Sequence, residues 1–195
     1  MPLTIGIAGG TCAGKTRLAG ALAAHFGDAL VLAMDSFYRQ QPAAAIADGS
    51  ADFDSPDAID IQAMAAALAA LRAGRQAEVP VYHRATSTVT GRRTVVPHAV
   101  LLVEGLYALA APAIRSQLDL KIFIDIPSAD QTARRTLRDR EGYHRSEQRL
   151  RHDLARVAAA EGRHVLPSRA FADVILPGDG LLDDQIAACL AALDG

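Results

Sequence analysis

Residues 3–16 have the sequence LTIGIAGGTCAGKT and carry the strongest structural signal in the chain. The first six residues are mostly apolar, which is typical of a buried β-strand that enters a turn at Gly9. From Gly9 onward the sequence matches the pattern G-x-x-x-x-G-K-[ST] at every fixed position. Leu18 and Leu22 then follow at helical spacing, and Gly27 is a typical helix stop. A strand, a glycine-rich loop and a helix in this order predict a phosphate-binding loop, or P-loop.

Each part of this loop has a role in binding a nucleoside triphosphate. Gly9 and Gly14 let the backbone fold around a phosphate, and the N–H groups of the loop supply positive potential. Lys15 can reach the β- and γ-phosphates, and the Thr16 hydroxyl can bind Mg²⁺. The chain contains no asparagine, and neither of its lysines lies in a guanine-recognition motif, so ATP is the expected nucleotide. The predicted loop that binds ATP and Mg²⁺ consists of Gly9, Gly10, Thr11, Cys12, Ala13, Gly14, Lys15 and Thr16.

Two acidic residues come directly after predicted strands. Asp35 follows the apolar run 29–34, and Glu104 follows the apolar run 99–103. Ligands bind beyond the carboxyl ends of the strands in a parallel α/β sheet, so both carboxylates are expected to face the P-loop. Asp35 is therefore a candidate to accept the proton of an attacking hydroxyl or to help orient Mg²⁺. Glu104 is the expected partner of Thr16 at the metal.

Arginines are concentrated in one segment of the second half of the chain. They are Arg134, Arg135, Arg138, Arg140, Arg145, Arg149 and Arg151. Phosphoryl transfer requires positive charge that closes over the γ-phosphate and excludes water. We predict that Arg135, Arg138 and Arg145 supply this charge, with Arg138 and Arg145 acting in catalysis. The other arginines are expected on a solvated helix face, and Gly142 is a candidate hinge.

The rest of the sequence predicts strands that alternate with helices. Apolar residues recur on one helix face after Asp60, and residues 36–56 are rich in turn formers typical of a surface loop. A small β excursion is expected over 78–82 and 86–96. Further strands are expected at 120–126 and 174–176, and further helices at 129–140, 146–160 and 181–193. This order predicts one α/β domain over residues 1–195, with the P-loop NTPase fold, a mainly parallel sheet flanked by helices and an arginine-rich lid.

The composition indicates which kinds of partner the protein has. Half of the 195 residues are hydrophobic, the net charge is −2 and the pI is near 6.3, so no basic excess indicates nucleic acid. No apolar run has the length of a membrane span, and the N-terminus lacks the pattern of a signal peptide. Cys12 and Cys189 are far apart in sequence, which favours a reducing compartment over a zinc site. We expect a cytoplasmic protein that acts on a small-molecule acceptor. The sequence is compatible with either a monomer or a homo-oligomer.

Five segments, in this order, resemble the uridine kinase family within the wider group of uridine, phosphoribulo- and pantothenate kinases. They are the P-loop, residues 34–38 (MDSFY), residues 53–60 (FDSPDAID), residues 103–105 (VEG), and residues 119–125 (DLKIFID) followed by Arg134-Arg135 and Arg138-Asp139. The resemblance implies transfer of the γ-phosphate of ATP to a hydroxyl. It also implies Asp35 as the base, Asp54 or Asp57 at the ribose of the acceptor, and Tyr38 near the acceptor. The segment with Pro167, Arg169 and residues 172–175 is similar to the part of such kinases that lies near the adenine.

Two departures leave the acceptor open. Uridine kinases usually follow Pro-x-Tyr with an aromatic residue and then a His that contacts the pyrimidine, whereas here Tyr82 is followed by His83-Arg84-Ala85. Tyr82 remains a candidate acceptor contact, and His83 is a candidate displaced partner of the base. The arginine-rich segment has Gly-Tyr-His-Arg at 142–145 in place of the usual Arg-Gly-Arg. A nucleoside is the expected acceptor. The alternatives are nicotinamide riboside, pantothenate, a sugar or a sugar acid, and a P-loop hydrolase or switch with no acceptor is a different class.

Overall fold

The computed structural model describes residues 1–48, 51–83, 86–143 and 147–194, and for 47–48, 142–143 and 147–152 it describes the backbone alone. Among these residues the central sheet has five parallel strands in the order β2-β5-β1-β6-β7. The strands are β1 (Leu3–Gly9), β2 (Ala29–Ala33), β5 (Val100–Glu104), β6 (Leu120–Asp125) and β7 (Val174–Pro177). A separate antiparallel hairpin consists of β3 (Ala77–His83) and β4 (Thr88–Val95). The predicted parallel sheet and β excursion are both confirmed.

Helices cover both faces of the sheet. They are α1 (Lys15–Phe26), α2 (Ala43–Asp48), α3 (Ile61–Arg72), α4 (Pro112–Arg115), α5 (Ser128–Tyr143), α6 (Glu147–His164) and α7 (Leu182–Ala191). Short 3₁₀ helices at Met34–Phe37, Pro56–Ala58 and Leu166–Phe171 connect them. The side chain of Asp60 caps α3 by accepting a hydrogen bond from the N–H of Ala63 at 3.1 Å.

The apolar core lies in two layers because side chains alternate along the buried strands. In β5, Leu101 and Val103 pack with α3 and α4, whereas Leu102 faces the opposite layer with α1 and α7. Ile7 of β1 lies in that second layer, and its neighbour Ala8 lies in the first. The central strands are therefore buried on both faces, as their nearly continuous apolar sequences predict.

The strand order determines where the site lies. β1 is central, with β5 on one side and β6 on the other, and β2 pairs with the far edge of β5. The P-loop follows β1, Glu104 is the last residue of β5, and Asp35 lies in the 3₁₀ helix after β2. All three therefore meet at the carboxyl edge of the sheet.

The segment 36–56 differs from its prediction as a loop. It contains helix α2 and the end of the first 3₁₀ helix. The run of three alanines at 43–45 has a high helix propensity, which outweighs the turn-forming residues on either side. None of the helices within the described ranges has both the length and the apolar character needed to cross a bilayer.

Candidate active site

One cavity of about 560 Å³ opens at the carboxyl edge of the sheet. Its lining is drawn from the P-loop, from the ends of β2, β3 and β5, from residues 53–54, and from α5 and α6. The lining residues are Thr11, Cys12, Gly14, Lys15, Thr16, Arg17, Asp35, Tyr38, Ile46, Phe53, Asp54, Tyr82, Ser87, Glu104, Gly105, Leu106, Arg135, Arg138, Asp139 and Arg156. The cavity therefore brings together candidates for nucleotide, metal and acceptor binding from distant parts of the sequence.

The P-loop wraps over the start of α1. Gly14 has a φ of +105°, a conformation that side chains with a Cβ rarely adopt, and α1 begins at the next residue. The ammonium of Lys15 donates hydrogen bonds to the carbonyls of Gly9 and Gly10, at 3.0 and 2.7 Å. Burial lowers the pKa of Lys15 below its usual value, and the carboxylates of Glu104 and Asp35 oppose that shift. The lysine is thus held beside the loop by carbonyls that a phosphate can replace as partners.

Thr16 and Glu104 form a pair of oxygen donors. The Thr16 hydroxyl donates to Glu104 Oε1 at 3.3 Å, and both residues line the cavity next to Lys15. Hydroxyl and carboxylate oxygens are the donors that Mg²⁺ prefers, and this ion usually keeps waters and substrate phosphates as its other ligands. Within the described residues no group of three or more His, Cys, Asp or Glu side chains could hold a metal by itself. The pair therefore fits a metal that arrives with the nucleotide.

Aromatic side chains form one wall of the cavity near Asp35. The ring of Tyr38 lies 5.3 Å from that of Tyr82 and 6.0 Å from that of Phe53, measured between centroids. The Tyr38 hydroxyl donates to the carbonyl of Phe53 at 3.1 Å, which fixes this wall to the segment that carries Asp54. We call Tyr38, Phe53 and Tyr82 the aromatic wall. Such a surface can stack on a flat ligand group.

The two acidic candidates in the segment 53–60 occupy different places. Asp54 lines the cavity, and its side chain is only 12% exposed. Asp57 is exposed in the second 3₁₀ helix, where its N–H donates to the Ser55 hydroxyl, and it does not line the cavity. Burial raises the pKa of Asp54, although Arg135 and Arg156 act in the opposite direction. The geometry favours Asp54 as the acceptor ligand, and this assignment stays a prediction.

Helix α5 presents paired arginines to the cavity. Arg138 donates to Asp139 Oδ1 at 2.9 Å, and Arg135 Nε lies 3.4 Å from Asp139 Oδ2. The Asp139 side chain is 2% exposed, and through these contacts it holds both guanidiniums in place. Arg145, the third predicted arginine, lies outside the described residues. The lid function of this segment stays a prediction.

Besides Asp57 and the loop residues Gly9, Gly10 and Ala13, three predicted site residues do not line this cavity. His83 is exposed and forms a 2.9 Å hydrogen bond with the Thr86 hydroxyl. Pro167 and Arg169 lie in the third 3₁₀ helix, where Arg169 Nε donates to Asp125 Oδ2 at 3.1 Å. Asp125 ends β6, next to the P-loop strand, so the predicted adenine contact of Pro167 and Arg169 stays open.

Sequence reasoning missed several residues of the cavity. Arg156 of α6 belongs to no recognised motif, and Asp139 of α5 was named only beside Arg138, without a role. Asp153 and Arg156 are spaced i, i+3 on one helix, a spacing typical of an ion pair, but nothing in the sequence indicates that the pair faces a cavity. Phe53 lies in the segment 53–60, but only the aspartates of that segment were predicted to bind a ligand.

A central P-loop in a parallel sheet that helices flank on both faces defines the class of the protein: it has the P-loop nucleotide-binding fold. The sequence profile of the Phosphoribulokinase / Uridine kinase family matches residues 4–181. The chain belongs to this family and is an ATP-dependent kinase.

Individual relatives agree with this assignment. A uridine kinase from Chloroflexus aurantiacus is 32% identical over 98% of this chain and 96% of its own length. Phosphoribulokinase from Rhodobacter spheroides has a similar structure, with a TM-score of 0.73 over 90% of this chain and 70% of that chain, at 17% identity. D-glycerate 3-kinase from Cryptococcus neoformans has a TM-score of 0.63 over 82% of this chain and 78% of that chain, at 15% identity. At these identities the two structures support the fold and not an acceptor.

Proposed function

We propose that this kinase transfers the γ-phosphoryl group of ATP to a hydroxyl of a nucleoside, with uridine as the first acceptor to test. The observation that carries the proposal is that one cavity contains the P-loop, the Asp35 and Asp54 carboxylates and the aromatic wall. Uridine kinases similar to this chain over nearly its whole length support a nucleoside. A hydrolase or switch would not need a second set of polar and aromatic groups opposite the phosphate loop.

The residues around the P-loop bind ATP by placing positive charge and metal ligands beside its phosphates. On ATP binding, Lys15 exchanges the carbonyls of Gly9 and Gly10 for the β- and γ-phosphates. Thr16 and Glu104 would hold Mg²⁺, which neutralises part of the phosphate charge when bound. Thr11 and Cys12 line the same wall with Gly14.

The chemical step is an in-line displacement. Asp35 accepts the proton of the acceptor hydroxyl as its oxygen forms a bond to the γ-phosphorus. The bond from that phosphorus to the oxygen bridging it to the β-phosphate breaks, and ADP leaves with the electron pair. Arg138 supplies positive charge to the transferring group, and Asp139 keeps its guanidinium oriented towards the cavity.

The charges on the acceptor side favour a neutral acceptor. Arg135 and Arg156 both contact Asp54, and Arg138 contacts Asp139, so each of these guanidiniums already faces a carboxylate. A sugar acid or pantothenate would bring a further negative charge to Asp54 and Asp35, and the other arginine of the cavity lining, Arg17, is hydrogen-bonded to Gly180 and Gln185. A nucleoside brings hydroxyls for Asp54 and a flat base for the aromatic wall.

A panel of acceptors tests the proposal. Purified enzyme with MgATP would be assayed on uridine, cytidine, adenosine, nicotinamide riboside, pantothenate and fructose, with ADP release and the phosphorylated product measured separately. We expect a nucleoside monophosphate in step with ADP, and no comparable product from pantothenate. The matched control is Lys15→Ala, which should retain the fold and lose turnover because its ammonium contacts the carbonyls of the phosphate loop. ADP release that no acceptor stimulates would contradict the proposal and would favour a hydrolase.

The metal pair makes a further prediction. Turnover should stop in excess chelator and return with added Mg²⁺. Glu104→Gln retains the size of the side chain and removes its charge, so it should raise the Mg²⁺ concentration needed for half-maximal rate by about tenfold or more, the order expected for loss of one charge-assisted contact. A Mg²⁺ titration of the wild type and Glu104→Gln at saturating ATP measures this. An unchanged titration curve would exclude Glu104 from the metal site.

A further inference from the structure

Asp54 lies between two helices that each contribute an arginine. Its Oδ2 lies 3.3 Å from Nη2 of Arg156 on α6, and its Oδ1 lies 3.8 Å from Nη2 of Arg135 on α5. Each carboxylate oxygen thus faces a different helix. Arg156 is the closer of the two, and the two contacts leave lone pairs of a carboxylate available to a ligand in the cavity.

Arg156 is itself held in place. Its Nη1 donates to the carbonyl of Ala51 at 3.3 Å, which links α6 to the backbone three residues before Asp54. Its Nη2 also lies 3.6 Å from Oδ1 of Asp153, a side chain that is 1% exposed. The Arg156 side chain is 25% exposed and lines the cavity. One guanidinium therefore fixes both the carboxylate of Asp54 and the segment that carries it.

We propose that Arg156 is a positioning residue for the acceptor, which acts by holding Asp54 ionised and oriented towards the acceptor hydroxyls. The inference rests on the proposed function, in which Asp54 is the acceptor ligand, and it adds a residue outside every motif recognised in the sequence. An acceptor hydroxyl donates a strong hydrogen bond only to an ionised carboxylate, and burial opposes ionisation. Without a cation at 3.3 Å, burial would raise the pKa of this carboxylate, which is 12% exposed, further.

The charged surroundings of Asp54 define what a pH profile would report. Arg135 faces it from α5, Arg156 and Asp153 face it from α6, and Asp52 lies in its own segment. Tyr107, which follows β5, donates from its hydroxyl to the Asp54 carbonyl. Burial and the two aspartates raise the pKa of Asp54, and the two arginines lower it. Removal of the Arg156 charge therefore shifts the titration of Asp54 to higher pH.

The first experiment compares Arg156→Gln, Arg156→Lys and Arg163→Gln. Arg163 is exposed on the same helix and serves as the matched control. For Arg156→Gln we expect the KM for uridine to rise by at least about tenfold, since loss of a charged hydrogen-bond partner has effects of this order. The KM for ATP should stay within about twofold, and the acidic limb of kcat/KM for uridine should move to higher pH. Arg156→Lys should restore part of both effects. A KM and a pH limb that match those of the Arg163→Gln control would overturn the inference.

A double-mutant cycle with Asp54→Asn separates positioning from direct contact. If Arg156 acts through Asp54, adding Arg156→Gln to Asp54→Asn should change the KM for uridine by less than about threefold, because the group it positions is already lost. If the two changes multiply, Arg156 acts independently of Asp54 and the inference is wrong. Far-UV circular dichroism and thermal unfolding of all four proteins check that the folds are comparable.

A readout that needs no acceptor distinguishes this inference from the proposed function. If the wild type phosphorylates no nucleoside, the proposed function fails whatever Arg156 does. The carboxyl ¹³C resonance of Asp54, assigned by its loss in Asp54→Asn, can still be titrated in the wild type and in Arg156→Gln. A titration at higher pH in the variant supports the electrostatic link, and an identical titration in both proteins overturns it.

Discussion

At the scale of single residues, Asp35 is the group on which the chemistry depends most. It lines the cavity in the 3₁₀ helix that follows β2, and its charge acts on Lys15 across the cavity. This position follows from the order of the strands, since β2 and β1 both pair with β5 and end at the same edge of the sheet. A carboxylate here can reach the hydroxyl of an acceptor that is opposed to the P-loop.

Asp35→Asn therefore tests general-base catalysis. The substitution retains the size of the side chain and removes the proton acceptor, so kcat should fall by about 10²–10⁴-fold, the usual range for such a loss. ATP binding, measured by calorimetry, should change little because Asp35 is not part of the P-loop. The exposed residue Asp183 of α7 provides the control Asp183→Asn, which should have wild-type kcat. Weakened ATP binding with normal turnover would instead place Asp35 at the metal.

The acidic segment 52–57 marks the limit of prediction from sequence at this scale. The sequence pattern placed Asp54 and Asp57 on one surface segment. It could not decide which of them binds the acceptor, because they are only three positions apart. The choice depends on Arg135 and Arg156, whose approach to Asp54 spans 81 and 102 positions of sequence. Such long-range ion pairs leave no local pattern, whereas the P-loop is a contiguous motif and was recognisable directly.

At the scale of the elements, α5 and α6 hold the P-loop from outside the cavity. Glu161 of α6 accepts a hydrogen bond from the N–H of Thr11, and Gln131 of α5 donates to Glu161 Oε2 at 2.6 Å. Gln131 also donates to the carbonyl of Thr11 at 3.1 Å. A Cβ at Gly10 would meet Nε2 of Gln131, so a larger residue there would displace the Gln131 side chain from Thr11 and Glu161.

Glu161→Ala should loosen this connection. The N–H of Thr11 and the amide of Gln131 would each lose a buried partner, and an unsatisfied buried group costs about 1–3 kcal/mol. We expect a lower free energy of unfolding in urea and a higher KM for ATP, with the KM for the acceptor less affected. Glu161→Gln, which retains an acceptor oxygen, should give a smaller loss, and Glu141→Ala at an exposed position of α5 is the control. An unchanged KM for ATP in Glu161→Ala would mean that the P-loop orders itself without α6.

A second junction joins α3 to the starts of β1 and β6, far from the site. Arg72 contacts both oxygens of Asp119, at 3.0 and 3.3 Å, and the N–H of Thr4 donates to Asp119 Oδ2 at 2.8 Å. Partial burial raises the pKa of Asp119, but the hydrogen bonds from Arg72 and Thr4 outweigh it and hold the pKa below its usual value. A lowered pKa in the folded state stabilises the protein above the unfolded-state pKa, and this stabilisation is lost as the pH falls through the folded-state value.

Asp119→Asn should therefore destabilise the fold in a pH-dependent manner. Near neutral pH we expect a loss of about 1 kcal/mol, a modest value because the Asp119 side chain is 42% exposed and the pair is screened by solvent. The difference from the wild type should shrink as the pH falls below the usual Asp value of 3.8. Urea unfolding of both proteins at neutral and acidic pH measures it. A difference that is constant with pH would exclude the charge of Asp119 as its cause.

At the scale of the whole molecule, the parallel sheet could be predicted because its central strands are continuous apolar runs. Strand β5 is shifted by one residue at each end from the predicted run 99–103, β6 is one residue shorter than the predicted run 120–126, and α1 ends directly before the predicted stop Gly27. Helix α2 was missed because its six residues are too short for a periodic signal. The order β2-β5-β1-β6-β7 is a long-range property that the local sequence alone does not encode, although the crossover rules restrict it. The single-domain prediction stays untested.

The acceptor pocket as a whole leads to the last prediction, which concerns the base. His83 is exposed beside Thr86 and does not line the cavity, whereas Tyr38, Phe53 and Tyr82 present aromatic rings to it. Stacking on an aromatic ring is available to every base, but discrimination between bases requires hydrogen-bond partners whose loss is costly. We therefore expect kcat/KM values for uridine, cytidine, adenosine and guanosine to lie within about one order of magnitude of each other. Tyr82→Leu should lower kcat/KM for all four to a similar extent, and His83→Ala should change none of them. A preference for uridine and cytidine over the purines well above tenfold, abolished by His83→Ala, would show instead that His83 moves into the cavity and recognises the pyrimidine.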